Sequence, residues 1–239
     1  MKAFIVAVCL LTIAGFCDAQ NVIKPGDKAI RYDWIGPSHT FYKNIITDTA
    51  GKIKYEFMMD DVTTIDSINK RIIFARVRQL PVGSFSADTS ITDFTFKPIS
   101  MHETHAQYRV NFDMNFADKM ATVKTIRKGV ISVKTYPMQS GYFEDNMIEY
   151  IFGYLELKKN ITYTMDNFNK DTPAPSDPYT IAYAFDDVWN LGAGYKVNCT
   201  VLHFTHGGTT GYIWIDKNTH DVLKEEGSFK TGSYVVTKQ

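Results

Sequence analysis

Residues 108–116 read YRVNFDMNF, and no other stretch limits the fold of this chain so strictly. Tyr108, Val110, Phe112, Met114 and Phe116 fall on one side, and Arg109, Asn111, Asp113 and Asn115 on the other. Alternation of period two over nine residues is incompatible with a helical face. It predicts a β-strand with one dry and one wet surface.

The same signal recurs along the chain. Residues 40–47 and 52–59 are β-rich runs separated by Asp48-Thr49-Ala50-Gly51, which reads as a hairpin with glycine in the turn. Residues 71–78 form another strand, with Ile73, Ala75 and Val77 on one face and Ile72, Phe74 and Arg76 on the other. Residues 117–119 turn the 108–116 strand back into 120–125, and 130–136 follows until Pro137 ends it. Further strands are expected at 161–165, 179–185, 195–204, 210–215, 222–226 and 233–237. The proline-rich run 170–178 is a loop. Connections this short make successive strands antiparallel neighbours in a meander.

The period changes once. From Phe143, the apolar residues Met147, Ile148, Ile151 and Phe152 follow helical spacing, with Glu144 and Asp145 in the first turn where negative charge suits the dipole. An amphipathic helix over 142–154 must cover an apolar surface. The expected fold is therefore mainly β: a curved antiparallel sheet, an open or half β-barrel meander, with at least one amphipathic helix over its concave face.

Lys2, the apolar stretch 3–16 and the small residues around Ala19 form a secretion signal, so 1–19 is read as a signal peptide and 20–239 as a single β-rich domain. Acylation of Cys17 is the competing reading of this segment. With Cys9 and Cys17 in the leader, Cys199 alone stays in the mature chain and no internal disulfide is possible. The 26 basic and 26 acidic side chains cancel, which excludes the concentrated positive field that nucleic acid requires.

Catalytic and metal motifs are weak. His102/His105 and His203/His206 are spaced three apart, which on a strand sends the rings to opposite faces. His206 and His220 flank the strand 210–215 and are separated by roughly 20 Å at ~3.3 Å per residue, so they read as turn residues that cannot share a metal. Asp60-Asp61 and Asp186-Asp187 look like strand ends, and Cys199 carries no sign of activation. No cofactor, metal or catalytic residue is assigned.

The stronger signal is apolar: 16 Phe and 14 Tyr are many for 239 residues. Tyr55, Phe57, Tyr108, Phe112, Met114, Phe116, Met147, Ile151, Trp189 and Trp214 are the candidate walls of a ligand cavity between sheet and helix, with Arg109 or Tyr195 at its rim.

Three stretches carry a resemblance: DFTFKPI at 93–99, GYIWIDKNTHDVLK at 211–224, and the helix-then-strand pattern from Asp145 to Tyr163. Residues 85–239 resemble exported envelope proteins of the lipoprotein-localisation-factor (LolA/LolB-like) half-barrel kind. The resemblance implies an open barrel covered by helices, a periplasmic setting and an acyl chain or other amphiphile as ligand. The expected function is a non-enzymatic periplasmic protein that binds a lipid, acyl chain or other apolar ligand, with peripheral association with the envelope. The alternatives are an envelope assembly protein with a filled core, a metal-dependent hydrolase, or an extracellular or lipid-anchored location.

Overall fold

A computed structural model describes residues 21–117, 119–138, 141–170, 178–192 and 195–239. The signal peptide with Cys9 and Cys17, Asp118, and residues 171–177 of the proline-rich loop lie outside the described residues.

The chain builds one meander of long strands: β1 (Asn21–Ile23), β2 (Ser38–Asp48), β3 (Ile53–Asp66), β4 (Arg71–Gln79), β5 (Phe85–Asp93), β6 (Pro98–His105), β7 (Val110–Ala117), β8 (Met120–Arg127) and β9 (Val130–Pro137). After β10 (Phe143–Glu144) and a helical segment come β11 (Thr162–Met165), β12 (Asn167–Phe168), β13 (Tyr179–Gly192), β14 (Tyr195–His206), β15 (Thr209–Asp216), β16 (Val222–Phe229) and β17 (Gly232–Lys238). Fifteen of these form a single sheet in the order β1-β11-β13-β14-β15-β16-β17-β2-β3-β4-β5-β6-β7-β8-β9. It is antiparallel throughout except for the parallel pair β1 and β11. The curved, open antiparallel sheet expected from the alternation is what the chain forms.

Two-residue turns set several registers. His206 pairs with Thr209 around Gly207 and Gly208, both at positive φ, the backbone of a type I′ hairpin. Lys128 and Gly129 do the same between β8 and β9. The 108–116 strand starts later than its alternation suggests. Ala106–Tyr108 is a 3-10 turn and Arg109 is left-handed, so β7 begins at Val110 and Tyr108 is left exposed.

The helical segment is a four-residue α-helix, α1 (Ile148–Ile151), flanked by 3-10 turns Asp145–Met147 and Phe152–Tyr154. Its apolar face is fully buried: Met147, Ile148 and Ile151 are at 0% exposure. They pack on Ile72 and Phe74 of β4, Leu202 and Phe204 of β14, and Ile213 and Ile215 of β15. The segment therefore lies inside the curve of the sheet, as its spacing predicted. Among the described residues no helix is long and apolar enough to cross a membrane.

The two halves of the meander meet where β17 pairs with β2. Gly232 sits at this seam, and a Cβ there would lie 1.9 Å from the Thr47 carbonyl oxygen. Gly232→Ala is expected to destabilise the protein by about 1–3 kcal/mol through forced displacement at the seam. Gly36→Ala, which meets nothing within 4 Å, is the control and should leave urea unfolding unchanged.

Candidate functional site

The inward face of the sheet is not uniformly apolar. Direct register pairs place Thr40, Asp61, Arg76, Asp88 and Glu103 in one row across β2 to β6, and all five are buried. Arg76 is in phase with Ile72 and Phe74, which decides the two-faced reading of β4: this face points in and Ile73, Ala75 and Val77 point out. Isolated buried charges would be costly, so the row is paired. Arg76 donates Nε to Asp61 Oδ1 at 2.8 Å and Nη2 to Asp61 Oδ2 at 2.6 Å. Its Nη1 donates to Glu149 of α1, and the guanidinium lies 4.9 Å from the Tyr150 ring centroid. Arg78 donates to Asp88 at 2.5 Å, and Lys170 pairs with Glu103 at 2.8 Å.

Beside this row a cavity of about 340 Å³ opens between the helical segment and the strands. β2 contributes Thr40, Tyr42 and Asn44; β3 and β4 contribute Asp61 and Arg76. Glu149, Tyr150 and Phe152 come from the helical segment, and Tyr179, Phe204 and His206 from β13 and β14. Glu225 and Tyr234 close it from β16 and β17.

A bulge brings Glu225 inward. Ile215 pairs with Val222 and Trp214 with Lys224, so Leu223 is the extra residue and the phase of β16 shifts. Gly227 lets the Tyr234 ring lie across β16, since a Cβ there would meet that ring at 2.6 Å. The Tyr234 hydroxyl thereby reaches Glu225 and donates to it.

Burial, followed by the charge of Glu149, pushes the Glu225 carboxyl up to about 8. Burial also pushes Glu144 up to about 8, although it accepts from Ser90 Oγ at 2.6 Å and from the Asn146 amide at 3.0 Å. Glu144 thus caps the helical segment in a dry site, and Asp145 accepts from the side-chain amides of Asn167 and Asn169, so neither is a surface charge on a helix dipole. Burial alone would raise Glu149 too, but the Arg76 charge and hydrogen bond hold it below the usual range.

Asn44 and Tyr150 line the cavity, but Asn44 Oδ1 and the Tyr150 hydroxyl are packed away from it, with almost no accessible surface and no hydrogen-bond partner among the described residues. Buried polar groups are nearly always satisfied, so each requires a reason.

The ten apolar candidates do not come together, and none lines this cavity. Met147 and Ile151 belong to the main core, and Met114 and Phe116 to a second one, where Phe116 meets Phe168 edge-on at 5.6 Å. Tyr55 and Tyr108 are exposed and Phe57 is half-buried. Phe112 lies beneath the Lys170 ammonium at 4.8 Å. Trp189 and Trp214 pack with Cys199, Val201 and Leu223 on the outer surface of the sheet, because Ile213 and Ile215 on either side of Trp214 take the inner one. Arg109 lines a separate depression near the β8–β9 turn, and Tyr195 is exposed at a hairpin end.

Other sequence expectations are corrected here. His206 and His220 both line the cavity. His206 stacks on Tyr179 at 3.8 Å between centroids, and His220 on Trp34 at 3.5 Å. His220, at φ 62° in the β15–β16 turn, and His206, beside the Gly207–Gly208 turn, are the turn residues expected, and both also form part of the cavity wall. His203 points away, to Thr210 and Tyr212. Asp61 and Asp187 lie within strands, not at their ends, because Arg76 compensates the first and the Trp214 indole N–H, at 2.8 Å, the second. Among the described residues no group of three or more His, Cys, Asp or Glu is placed to hold a metal ion.

A protein-family model described as a protein of unknown function, DUF3108, matches residues 39–238, from β2 to the last strand. No curated protein matches the chain. The fold is similar to the crystal structure of a β-barrel-like protein of the domain of unknown function DUF1849 from Brucella abortus, with a TM-score of 0.55 and 12% identity. That match covers 88% of this chain and 98% of the other.

Two outcomes follow from the buried charges. Arg76→Met leaves Asp61 and Glu149 without their cation and should cost about 3–5 kcal/mol in urea unfolding. Glu144 and Glu225 keep their protons up to about pH 8 in the fold but lose them near 4.5 when unfolded. The unfolded state then binds fewer protons across this window, so stability is lost as pH rises. His220, lowered by burial, works in the opposite direction around neutrality. The readout is therefore the difference between proteins: Tm of the wild type should fall by roughly 5–10 °C more than that of the E144Q/E225Q double variant between about pH 5 and pH 8.5.

Proposed function

The chain belongs to the DUF3108 family of unknown function, and we propose that it is an exported, non-catalytic protein that holds a small amphiphilic molecule in the cavity beneath α1. The observation that carries this reading is the cavity itself, an unfilled space of about 340 Å³ between the helical segment and the strands, walled by Tyr42, Phe152, Tyr179, Phe204 and Tyr234 together with a charged cluster. The signal-like residues 1–19 support export to the periplasm, and the LolA/LolB-like resemblance supports a ligand with an apolar part.

The cavity refines what that ligand is. Its volume of about 340 Å³ is near the lower end of small-molecule sites. Its inner wall carries the Asp61–Arg76–Glu149 cluster rather than aliphatic side chains. A short chain or ring with one polar end fits such a lining better than a long acyl tail. Rings such as Phe152 and Phe204 would bury the apolar part, at about 25 cal/mol per Å² removed from water.

A second reading, an assembly protein of the envelope, is favoured by β9. Val130, Ile131 and Val133 are exposed at 70%, 59% and 59% on the last strand of the sheet. A free edge of this kind can accept another strand.

Native mass spectrometry of protein purified from its own envelope tests the binding reading. A small-molecule adduct is expected on the wild type and its loss on Thr40→Phe, which fills the cavity, with Tm retained. Wild-type protein without an adduct would contradict the proposal.

A further inference from the structure

The hairpin of β8 and β9 is built unlike the rest of the sheet. Residues 119–138 hold Lys119, Lys124, Arg127, Lys128 and Lys134 and no acid, in a chain whose charges cancel as a whole. Every residue from Arg127 to Thr135 is exposed. β9 is the last strand of the sheet, so one of its edges has no strand partner. Its apolar side chains sit on both faces. Val130 is in phase with Tyr136, which packs on the second core, so it takes the inner face, and Ile131 takes the outer one. At 70% and 59% exposure, neither is covered by the described residues.

The neighbouring turn extends the same tip. The Lys128 N–H donates to the Arg109 carbonyl at 3.1 Å, and the left-handed Arg109 stands exposed there, next in sequence to the exposed Tyr108. The acids of the adjoining strands are already in use. Glu103 pairs with His105 at 2.6 Å and with Lys170 at 2.8 Å. Asp113 pairs with His102 at 2.6 Å and with Lys124 at 3.7 Å. Among the described residues no ion pair engages Arg109, Arg127, Lys128 or Lys134.

Charge and geometry select the occupant. A second copy pairing edge to edge through β9 would bring two basic hairpins together with no acid in either to answer them. A strand from another protein would satisfy the free edge but leave both faces in water, because a strand adds beside β9 and not above and below it. A lipid interface surrounds the tip on both faces at once. We infer that the β8–β9 tip docks on an anionic bilayer surface: Val130 and Ile131 enter the interface, and Arg109, Arg127 and Lys128 bind its phosphates. Val130 and Ile131 lie one and two residues beyond Gly129, roughly 3–7 Å along the strand, comparable to the ~5–10 Å to which interfacial segments sink. Headgroups and their water satisfy the free edge of β9, which the hydrocarbon centre would not. Ser132 and Lys134 oppose deeper entry, while the long stems of Arg127 and Lys128 let their charges stay at headgroup level. This inference does not rest on the cavity reading, and it assigns to lipid the strand that an assembly partner would use.

The test sediments protein purified from its own envelope with lipid vesicles. Binding to phosphatidylcholine vesicles containing about one quarter phosphatidylglycerol is expected to be at least about tenfold tighter than to phosphatidylcholine alone. Most of that preference should be lost when salt is raised from about 0.05 to about 0.5 M. R127Q/K128Q and V130S/I131S should each weaken binding about tenfold or more, with Tm retained. I68S, in the exposed β3–β4 turn at the opposite end of the strands, should bind as the wild type does. Thr40→Phe should also bind normally, so this inference and the cavity reading fail separately. Equal binding to both lipids, binding to neither, or hairpin variants that bind like the wild type would overturn the assignment. A dimer in light scattering that both hairpin variants dissolve would also overturn it, because it gives β9 to a second copy.

Discussion

The ion cluster of Arg76, Asp61 and Glu149 is the interaction on which the interior is organised. It joins the neighbouring strands β3 and β4 to α1, which lies 73 residues further along the chain, at a point where Arg76 is only 6% exposed. Two charges removed from water are tolerated only when well paired, so the bidentate geometry with Asp61 is a condition for the rest. Once it is made, α1 is held over the concave face with Glu149 directed at the sheet, while Met147, Ile148 and Ile151 fill the adjoining core. The cavity is the volume left between this anchor and the β16–β17–β2 seam. Glu225, bonded to the Tyr234 hydroxyl, and the stacked rings of His206 and His220 complete its polar lining.

Much of the fold was legible because strand signals are local. Alternation in residues 108–116 and 71–78, and helical spacing from Phe143 to Phe152, report burial that each segment would seek in any compact chain. Strand ends were less legible. Asp60-Asp61 resembles a turn until Arg76 is known to lie opposite Asp61, and Asp187 until its carboxylate is seen to accept from Trp214. Those partners are supplied by tertiary structure, and propensity does not report them.

The site was hidden for a related reason. Aromatic residues in the sequence suggest cavity walls, yet many of them fill cores or coat the outer surface, as Trp214 does. The inner face near the cavity is carried by Thr40, Asp61, Arg76 and Asp88, which a hydrophobic pattern assigns to water. One signal was present: Arg76 shares a phase with Ile72 and Phe74, so a charge was due to face the core if those two did. Glu225 gave no comparable sign. Its inward direction depends on the bulge at Leu223, and strict alternation from Val222 would have turned it out. The matched family segment, 39–238, includes both elements that close the seam, so the cavity lies within the part of the chain that defines the family.

A crystal structure of the protein taken directly from its own envelope, without refolding, bears most closely on the cavity as a ligand site. Density for a bound molecule is expected beneath α1, against the Phe152, Tyr179 and Phe204 rings. An interior filled by the protein's own side chains, with no density between α1 and the strands, would contradict it.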